Sequence, residues 1–565
     1  MGFKSEQNPM FRSSFAESIF QQKYAHDGAY SWEELATTLV KDVCGDKASG
    51  DTSITHEEHQ QLVEYISDLK FIPGGRYLYY AGRKRKFFNN CYALKALEDT
   101  REDWAELSKK SELCLSTGGG IGVDYSVYRA SGSVLSGTGG IASGPIAQMQ
   151  IVDDIGKGIM QGGSRRSAIY ASLSSNHADV DKFLVLKNWY EQQLEGTSLS
   201  IGELKEKNFN FHAPMEFTNI SVNYDTEWLL NFWKTGEVGD VFSRNVYQAV
   251  STGEPGFSFN FFDKEEETLR NACTEFTSSD DSDVCNLGSI NFGRIDSISE
   301  LRDVVDLAVK FLVCGSLRAE LPYKKVEEVR EKNRRIGLGL MGLHEWLIKR
   351  GSKYEGTEEL HHWLEVYEKQ STAVGTNFSK QLSISTPIAF RAVAPTGTIG
   401  ILAGTTTGIE PVFATAYKRR YLKDSRWHYQ YVIDNVAQEM LELYGVKPEK
   451  IETALDLARD PIRRLSFQAN VQEHVDMAIS STINLPQWGS EENNEDTLKT
   501  FQKALARYSH RIRGFTCYPD GARGGQPLLA VPYTTAVKQL GEEFEENIKA
   551  VDICNITQRG GSCGV

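Results

Sequence analysis

The stretch Asn271-Ala272-Cys273-Thr274-Glu275 places an amide, a thiol and a carboxylate at alternate positions. In an extended backbone alternate side chains project to the same side, so this spacing predicts three reactive groups on one face. A surface loop that happens to hold a cysteine would give the same five letters. The segments around this stretch have to decide between the two interpretations.

Two further cysteines lie in short runs with strand-like composition. Cys91 belongs to F-F-N-N-C-Y-A-L and Cys285 to V-C-N-L-G-S-I-N. Either one alone is typical of a buried structural thiol. Cys314 differs, because it follows an apolar helical pattern between Leu301 and Leu312, and it is predicted to be a packing residue.

Glycine-rich and threonine-rich turns indicate where a ligand would bind. Residues 117–172 contain many glycines with apolar residues threaded between them, which favours ligand-facing loops over flexible linkers. Residues 394–400 read A-P-T-G-T-I-G and residues 405–411 read T-T-T-G-I-E-P. Small residues, hydroxyls and turn glycines of this kind can bind an anion through backbone amides.

Composition limits the function classes. The chain has 565 residues, and 62 basic against 76 acidic side chains give a net charge of -14. This balance argues against a nucleic-acid partner, so an anionic ligand would have to be bound locally. Nine cysteines without a C-x-x-C pair predict neither a metal site nor a secreted disulfide scaffold, and they fit a reducing cytoplasm. No apolar stretch approaches the length of a membrane span, which predicts a soluble protein without a membrane partner.

The chain divides into three predicted parts. Residues 1–70 read as a small helical region, with Trp32, Leu35, Leu39 and Val40 at helical spacing. Residues 71–535 carry the motifs, and residues 536–565 read as a flexible tail with cysteines.

Ten segments resemble, in chain order, those of ribonucleotide reductase catalytic chains. They read N-N-C-Y-A-L, S-T-G-G-G-I-G-V-D-Y-S, T-G-G-I-A-S-G-P, Q-G-G-S-R-R, N-A-C-T-E, C-N-L-G-S-I-N, N-R-R-I-G-L-G-L-M-G-L, A-P-T-G-T-I-G, T-G-I-E-P-V-F and I-S-S-T-I-N-L-P. The resemblance implies an α/β fold: a ten-stranded α/β barrel of two five-stranded halves, with Cys273 on a finger loop threaded through its centre. It extends from about residue 71 to about residue 535 and shows no ATP-sensing cone before it.

The C-terminal part indicates the class within this family. A lone Tyr518 in Y-x-D-G-x-R-x-G-Q surroundings resembles the adenosylcobalamin-dependent class (class II), so adenosylcobalamin is the implied cofactor. The iron-dependent class would show a pair of tyrosines and need a metal-containing radical subunit. That class I subunit, and a nucleotide-binding sensor with an inactive radical site, remain alternatives. The glycyl-radical class fits less well, because R-G-G-S in the tail is a poor version of its motif.

Catalytic roles follow from the resemblance. It implies that Cys273 becomes a thiyl radical that removes the 3′-hydrogen of the ribose. Glu275 accepts the proton of the 3′-hydroxyl, and Asn271 holds the same region by hydrogen bonds. Cys91 and Cys285 supply the reducing equivalents and end as a disulfide, which requires their Cα atoms to lie within roughly 7 Å.

The resemblance also implies binding residues. Asn90 and the backbone of Gly120 lie near the ribose, and four residues bind the phosphates: Thr396, Gly397, Thr398 and Ile399. A deoxynucleotide or ATP effector binds at the interface of a homodimer through loops 129–144 and 161–172 and through four residues: Asp99, Arg129, Gln161 and Arg165. Asp99 also suits the N-cap of a helix before Trp104.

Two features depart from the family pattern. Residues 280–283, Asp-Asp-Ser-Asp, are more acidic than a loop beside an anionic substrate should be, and they are expected to point to solvent. Cys554 and Cys563 in the tail are farther apart than usual, but the resemblance implies that they carry electrons from a thioredoxin-like or glutaredoxin-like reductant. Whether diphosphates or triphosphates are reduced stays open.

Overall fold

The computed structural model describes residues 11–549 except 27–28, 47–50, 138, 162–164, 195–196, 208–210, 212, 424–425 and 523–527. Its α-helices are α1 Ser14–Lys23, α2 Trp32–Cys44, α3 His56–Ser67, α4 Gly75–Tyr80, α5 Arg101–Ser116, α6 Pro145–Gly158, α7 Val180–Leu184, α8 Ile201–Lys207, α9 Thr226–Thr235, α10 Asp240–Thr252, α11 Ile298–Arg318, α12 Lys324–Asn333, α13 Leu343–Lys349, α14 Glu358–Gln381, α15 Gly397–Ala403, α16 Asn435–Tyr444, α17 Ala454–Leu457, α18 Pro461–Gln472, α19 Glu495–Tyr508 and α20 Tyr533–Lys538.

The strands alternate with these helices over most of the chain. They are β1 Gly45–Asp46, β2 Asp51–Thr52, β3 Phe71–Pro73, β4 Cys91–Lys95, β5 Gly120–Asp124, β6 Met160–Gln161, β7 Arg165–Arg166, β8 Ile169–Ser174, β9 Thr218–Tyr224, β10 Gly256–Phe259, β11 Leu269–Arg270, β12 Thr277–Ser278, β13 Asp283–Asn291, β14 Ile336–Met341, β15 Ala416–Lys423, β16 Arg426–Ile433, β17 Thr482–Leu485, β18 Gly514–Pro519, β19 Leu528–Ala530 and β20 Glu543–Lys549.

The main sheet is a barrel of two parallel halves. Strands β4, β5, β8, β9 and β10 pair in parallel in that order. The second half contains β13 and β14, then β17 and β18, each pair parallel. Between them, parallel bridges Leu338↔Arg391 and Val393↔Ile479 add the segment around residue 392 as a fifth strand. The halves meet antiparallel at β4 with β13 and at β10 with β18, which closes the barrel. The predicted barrel of two five-stranded halves is therefore confirmed.

Helices cover the outside of each half and form two large cores. The N-terminal helix α2 begins with a capping box in which Ser31 and Glu34 bond each other's backbone amides, and its residues Trp32, Leu35 and Leu39 are buried. They pack in one hydrophobic cluster with α11, the helix that contains Cys314. Helical spacing thus predicted both helices, and Cys314 is buried in the core as expected.

A short hairpin of β11 and β12 fills the barrel interior. Leu269 of β11 and Phe276 of the loop share a buried cluster with Cys91, Cys285 and three alanines of residues 389–394, so the hairpin touches both halves. The loop between the two strands carries Cys273, which confirms the central finger loop. None of the helices in the described ranges has the length and apolar character to cross a bilayer.

Candidate active site

The finger loop is a turn, and the expectation of extended backbone at residues 271–275 is wrong. The amide of Thr274 donates to the carbonyl of Asn271 at 3.0 Å, and Thr274 itself has a φ of 71°. A chain that must enter and leave the barrel interior within a six-residue loop has to reverse direction there. Asn271 and Glu275 are consequently brought together across the turn rather than by strand alternation.

Glycine allows this loop to approach the barrel wall. A Cβ atom on Gly122 of β5 would lie 1.8 Å from the carbonyl oxygen of Arg270. The neighbouring Gly120 would have its Cβ 3.2 Å from the methyl group of Ala272. The glycines of the G-G-G-I-G segment therefore permit a close contact with the finger loop. That this segment also faces a ligand stays a prediction.

Three of the predicted catalytic side chains form one hydrogen-bonded group. Asn271 Nδ2 donates to Glu275 Oε1 at 2.9 Å and lies 2.8 Å from Cys91 Sγ. The Cys91 thiol lies 3.6 Å from the same carboxylate oxygen. Asn271 is itself fixed, because its Oδ1 accepts from the amide of Phe276 at 3.0 Å. The amide thus orients both the carboxylate and the thiol.

Burial sets the protonation of this group. Glu275 is 0% exposed, and burial raises the pKa of its carboxyl group to about 7, although bonds from Asn271 and Cys91 work against the rise. One carboxylate oxygen, Oε2, has no hydrogen-bond partner. A carboxyl group with a pKa near neutrality and an unoccupied oxygen can accept and return a proton. Burial also raises the pKa of the Cys91 thiol, so that thiol is protonated.

Cys91 and Cys285 face each other across two strands. The antiparallel register of β4 and β13 pairs them directly. Directly opposed residues have Cα atoms about 4.5 to 5.5 Å apart, which lies inside the range that a disulfide needs. Both are buried thiols, and the seven cysteines of the described part of the chain form no disulfide. Cys273 differs from this pair because it is only half-buried.

The acidic run at residues 280–283 does not point to solvent, so that expectation is wrong. Asp283 is 0% exposed and accepts from Arg335 at 2.9 Å. Asp281 accepts from Lys110 at 2.9 Å, in a pair whose side chains are both less than a tenth exposed. Asp280 accepts from Lys332. The sequence could not show this neutralisation, since the cations come from α5 and from the end of α12.

The predicted ribose residues lie beside the finger loop. The Gly120 amide donates to the carbonyl of Asn90 at 2.9 Å, and Cys91 is the register partner of Gly120. Asn90 is buried, and its Oδ1 has no hydrogen-bond partner. A buried amide oxygen without a donor is costly unless a ligand supplies one. Asn219, which sequence reasoning missed, donates to the Ala272 carbonyl at 3.2 Å.

The predicted phosphate residues form the beginning of α15. Thr396 has a φ of 49° and precedes the helix, while Gly397, Thr398 and Ile399 form its first turn. The Thr396 hydroxyl accepts from the amide of Gly408 at 2.7 Å. The two threonine-glycine turns of the sequence are thus joined by one side chain.

Two of the predicted effector residues bind each other. Arg129 donates to Asp99 from both its backbone amide and its guanidinium group. The alternative role of Asp99 as an N-cap is wrong, because Thr100 caps α5 by accepting from Asp103 at 3.1 Å. Gln161 and Arg165 pair through their backbones in β6 and β7, and their side chains lie outside the description. The tail residues Cys554 and Cys563 also lie outside the described residues.

Loop 129–144 carries apolar side chains into solvent. Val134 and Ile141 form a bridge between its two arms and are 74% and 71% exposed. Asp179 fixes the base of the loop by accepting from the amide and the hydroxyl of Ser131. In the described part of the chain no group of three or more His, Cys, Asp or Glu side chains is placed to hold a metal ion.

Comparison with known proteins agrees with this arrangement. The family model "Ribonucleotide reductase, barrel domain" matches residues 89–371 and 388–518. The vitamin B12-dependent ribonucleoside-diphosphate reductase of Mycobacterium tuberculosis (strain CDC 1551 / Oshkosh) is 27% identical, covering 94% of this chain and 82% of that protein. The protein of the same name from Thermoplasma acidophilum is also 27% identical, covering 86% of this chain and 68% of the relative.

A solved structure with the same fold belongs to a different named class. The Actinobacillus ureae class Id ribonucleotide reductase alpha subunit superposes with a TM-score of 0.69 and 14% identity. The match covers 90% of this chain and 97% of that chain. At this identity the likeness concerns the fold alone.

Proposed function

This chain belongs to the ribonucleotide reductase family, and we propose that it converts ribonucleotides to 2′-deoxyribonucleotides for DNA synthesis by thiyl-radical chemistry with adenosylcobalamin as the radical source. One observation carries the proposal. Asn271, Glu275 and Cys91 form a single hydrogen-bonded group, with Cys285 directly opposite Cys91 and Cys273 on the same turn. The named vitamin B12-dependent relatives support the choice of cofactor.

The first half of the reaction uses the finger loop. Cys273, as a thiyl radical, takes the 3′-hydrogen of the ribose and returns to a thiol. Glu275 Oε2, which lacks a partner, accepts the proton of the 3′-hydroxyl. Asn271 keeps the carboxylate turned toward this position through its 2.9 Å hydrogen bond. The 2′-hydroxyl then leaves as water after protonation by the Cys91 thiol, which burial keeps in its protonated form.

The second half uses the cross-strand pair. Cys91 and Cys285 give up two electrons and two protons and form one S–S bond. The ribonucleotide gains the two electrons and the two protons: one proton leaves with the 2′-oxygen as water, and the other is added at the 2′-carbon. Cys273 finally returns a hydrogen atom to the 3′-carbon and is a thiyl again, and Glu275 returns its proton to the 3′-oxygen, so atoms and electrons balance. Cys554 and Cys563 would restore the dithiol by exchange with a thioredoxin-like or glutaredoxin-like protein.

The exposure of the three thiols fits an external radical source. Cys91 and Cys285 are buried in the barrel wall, whereas Cys273 is only half-buried. When bound, adenosylcobalamin supplies the radical that removes the hydrogen atom from the Cys273 thiol. The segment that begins at Tyr518 supports this choice of cofactor by resemblance alone, since its residues 523–526 lie outside the described part of the chain. Tyr79 and Tyr80 are adjacent tyrosines, but their contacts are those of packing residues and do not indicate the tyrosine pair of the iron-dependent class. Arg76 and Arg83 lie over the Tyr79 ring, and Tyr80 donates to the Thr117 carbonyl.

Substrate and effector residues complete the proposal. The ribose would be held by Asn90 and Gly120, and the phosphates by the α15 turn from Thr396 to Ile399. A deoxynucleotide or ATP effector would bind between two copies of the chain at loop 129–144. There it would replace the bond between Asp99 and Arg129 with its own contacts. The chain would act as a cytoplasmic homodimer.

A single-protein assay tests this function. Purified chain is incubated with dithiothreitol, adenosylcobalamin and either cytidine diphosphate or triphosphate, with and without effectors, and the deoxynucleotide is separated by chromatography. We expect product only when adenosylcobalamin is present and none from Cys273→Ser. Cys114→Ala, a buried cysteine of α5 outside the site, is the matched control and retains activity.

A second readout follows the dithiol. One turnover without reductant should leave a Cys91–Cys285 cross-linked peptide pair in a non-reducing digest. Product that requires an added metal-containing protein instead of adenosylcobalamin would refute the class II assignment. Nucleotide binding without product under either condition would leave the sensor as the correct interpretation.

A further inference from the structure

The finger loop has little backbone support of its own. Strands β11 and β12 pair at only two positions, Leu269↔Ser278 and Arg270↔Thr277. A ladder of this length is marginal without side-chain contacts. The backbone amide of Ala478 adds one bond, to the Glu275 carbonyl at 2.9 Å, so side chains at the base of the hairpin are expected to contribute much of what fixes Cys273.

Both residues of β12 donate their hydroxyl groups to carboxylates. Thr277 Oγ1 donates to Glu267 Oε2 at 2.9 Å, and Ser278 Oγ donates to Asp283 Oδ2 at 2.7 Å. Glu267 lies just before β11, and Asp283 is the first residue of β13. The returning strand of the hairpin is thus attached to its own beginning and to a strand of the barrel.

Arg335 joins the two carboxylates. Its Nε donates to Asp283 Oδ2 at 2.9 Å, and its Nη2 lies 3.6 Å from Glu267 Oε1. Glu267 also accepts from Arg513 at 3.1 Å. Arg335 is 4% exposed and stands in the N-R-R-I-G-L-G-L-M-G-L segment, for which the sequence suggested no role. Planar guanidinium groups suit such a two-carboxylate bridge better than an ammonium does.

Neighbouring cations act to lower the pKa of both carboxyl groups at this bridge, against the effect of burial. Burial works to raise the pKa of Glu267, but Arg513 and Arg335 outweigh it, so the pKa lies below its ordinary value. Burial raises the pKa of Asp283, and Arg335 opposes that rise. Loss of the guanidinium group would leave Asp283 buried without the cation that donates to it, which is costly.

We propose that Arg335 is a positioning residue that holds the hairpin bearing Cys273 in register with β13, the strand bearing Cys285. Asp283 lies two residues before Cys285, so one guanidinium group connects the radical loop to the reducing pair. This inference rests on the proposed function, because it assigns Arg335 to the geometry that a thiyl and a dithiol need around one ribose. Replacing Arg335 is expected to lower kcat and to leave KM unchanged, since Arg335 contacts no predicted substrate residue.

Paired lysine substitutions test it. Arg335→Lys keeps the charge but loses the bridge, and Arg334→Lys is the matched control. Arg334 is the adjacent buried arginine, and its Nε donates to Ser385 at 3.0 Å, away from the hairpin. For each variant we would measure kcat and KM, the thermal midpoint, and the rate of iodoacetamide labelling at Cys273 by peptide mass spectrometry.

We expect Arg335→Lys to lower kcat at least tenfold with KM within twofold, and to raise the Cys273 labelling rate at least threefold. Arg334→Lys should change neither. Equal kcat and equal labelling in the two variants would overturn the proposal. If Arg335→Lys does not fold, Thr277→Val is used instead, because it removes the hydroxyl that donates to Glu267 at the base of the hairpin. It must also lower kcat and raise the Cys273 labelling rate. A wild-type chain without reductase activity would refute the proposed function alone, and the labelling comparison would still decide the role of Arg335.

Discussion

The protonation of Glu275 gives the sharpest test of the site. This carboxyl group is fully buried, and its pKa of about 7 compares with an ordinary 4.5. At pH 6 we expect about nine-tenths of the groups to be protonated, whereas an exposed glutamate would be almost wholly ionised. Catalysis that begins with proton transfer to Glu275 should therefore rise with pH through about 7.

The same shift predicts a change in stability. The folded chain binds a proton at Glu275 between pH 4.5 and pH 7, and the unfolded chain does not. The contribution of the protonated Glu275 to the free energy of unfolding is thus present in full below the pKa of the unfolded chain, and it is lost as the pH rises through the pKa of the folded chain. A shift of this size corresponds to roughly 3 kcal/mol. Glu275→Gln should lack this pH dependence.

Infrared difference spectroscopy measures the group directly. Subtracting the Glu275→Gln spectrum from the wild-type spectrum at each pH isolates the carbonyl band of the protonated carboxyl group. Glu267→Gln is the matched control, because the pKa of Glu267 lies below its ordinary value and its difference spectrum should show no such band at pH 6. A Glu275 band that is absent at pH 6, or that appears only below pH 5, would refute the link between burial and proton transfer.

Two further substitutions probe the loop and its surroundings. Gly122→Ala places a methyl group 1.8 Å from the Arg270 carbonyl oxygen and should lower turnover at least tenfold by displacing the finger loop. Gly158→Ala, at an exposed glycine at the end of α6 with nothing within 4 Å, should leave turnover unchanged; unchanged turnover in Gly122→Ala would contradict the close approach. Lys110→Met leaves Asp281 without its buried ion-pair partner and should lower the free energy of unfolding by about 3 kcal/mol, measured by denaturant titration; a loss below about 0.5 kcal/mol would show that the pair is effectively solvated.

Much of the site could be predicted because it consists of short segments. The five residues from Asn271 to Glu275 and the runs around Cys91 and Cys285 predicted, through their resemblance to the family's segments, which side chains form the site. Helices α2 and α11 could also be predicted from the spacing of their apolar residues, since an apolar stripe on a helix is a local property of the sequence. The threonine-glycine turns were likewise visible, because turn residues are selected by local backbone geometry.

Other features depended on partners that are distant in the chain. The acidic run at residues 280–283 looked exposed until Lys110, Lys332 and Arg335 were found beside it. The helix α5 is capped by Thr100 and not by Asp99, a difference of one residue that local pattern does not resolve. Asn219 carried no signal, because an isolated amide has many possible surroundings. The segment that contains Arg335 resembled the family but did not indicate the partners of its arginines.

Contiguous residues were enough to recognise the family and the barrel segments and to predict the chemistry of the thiols. The folded chain was needed to show that the finger loop is a turn, that Cys91 and Cys285 stand opposite each other, and that burial raises the pKa of Glu275 to about 7. The physical reason is that strand register, burial and ion pairing join residues that are distant in the chain, such as Glu267 and Arg513, which are 246 positions apart. Burial inside the closed barrel, rather than any neighbour in the chain, gives the Glu275 carboxyl group its neutral-pH titration.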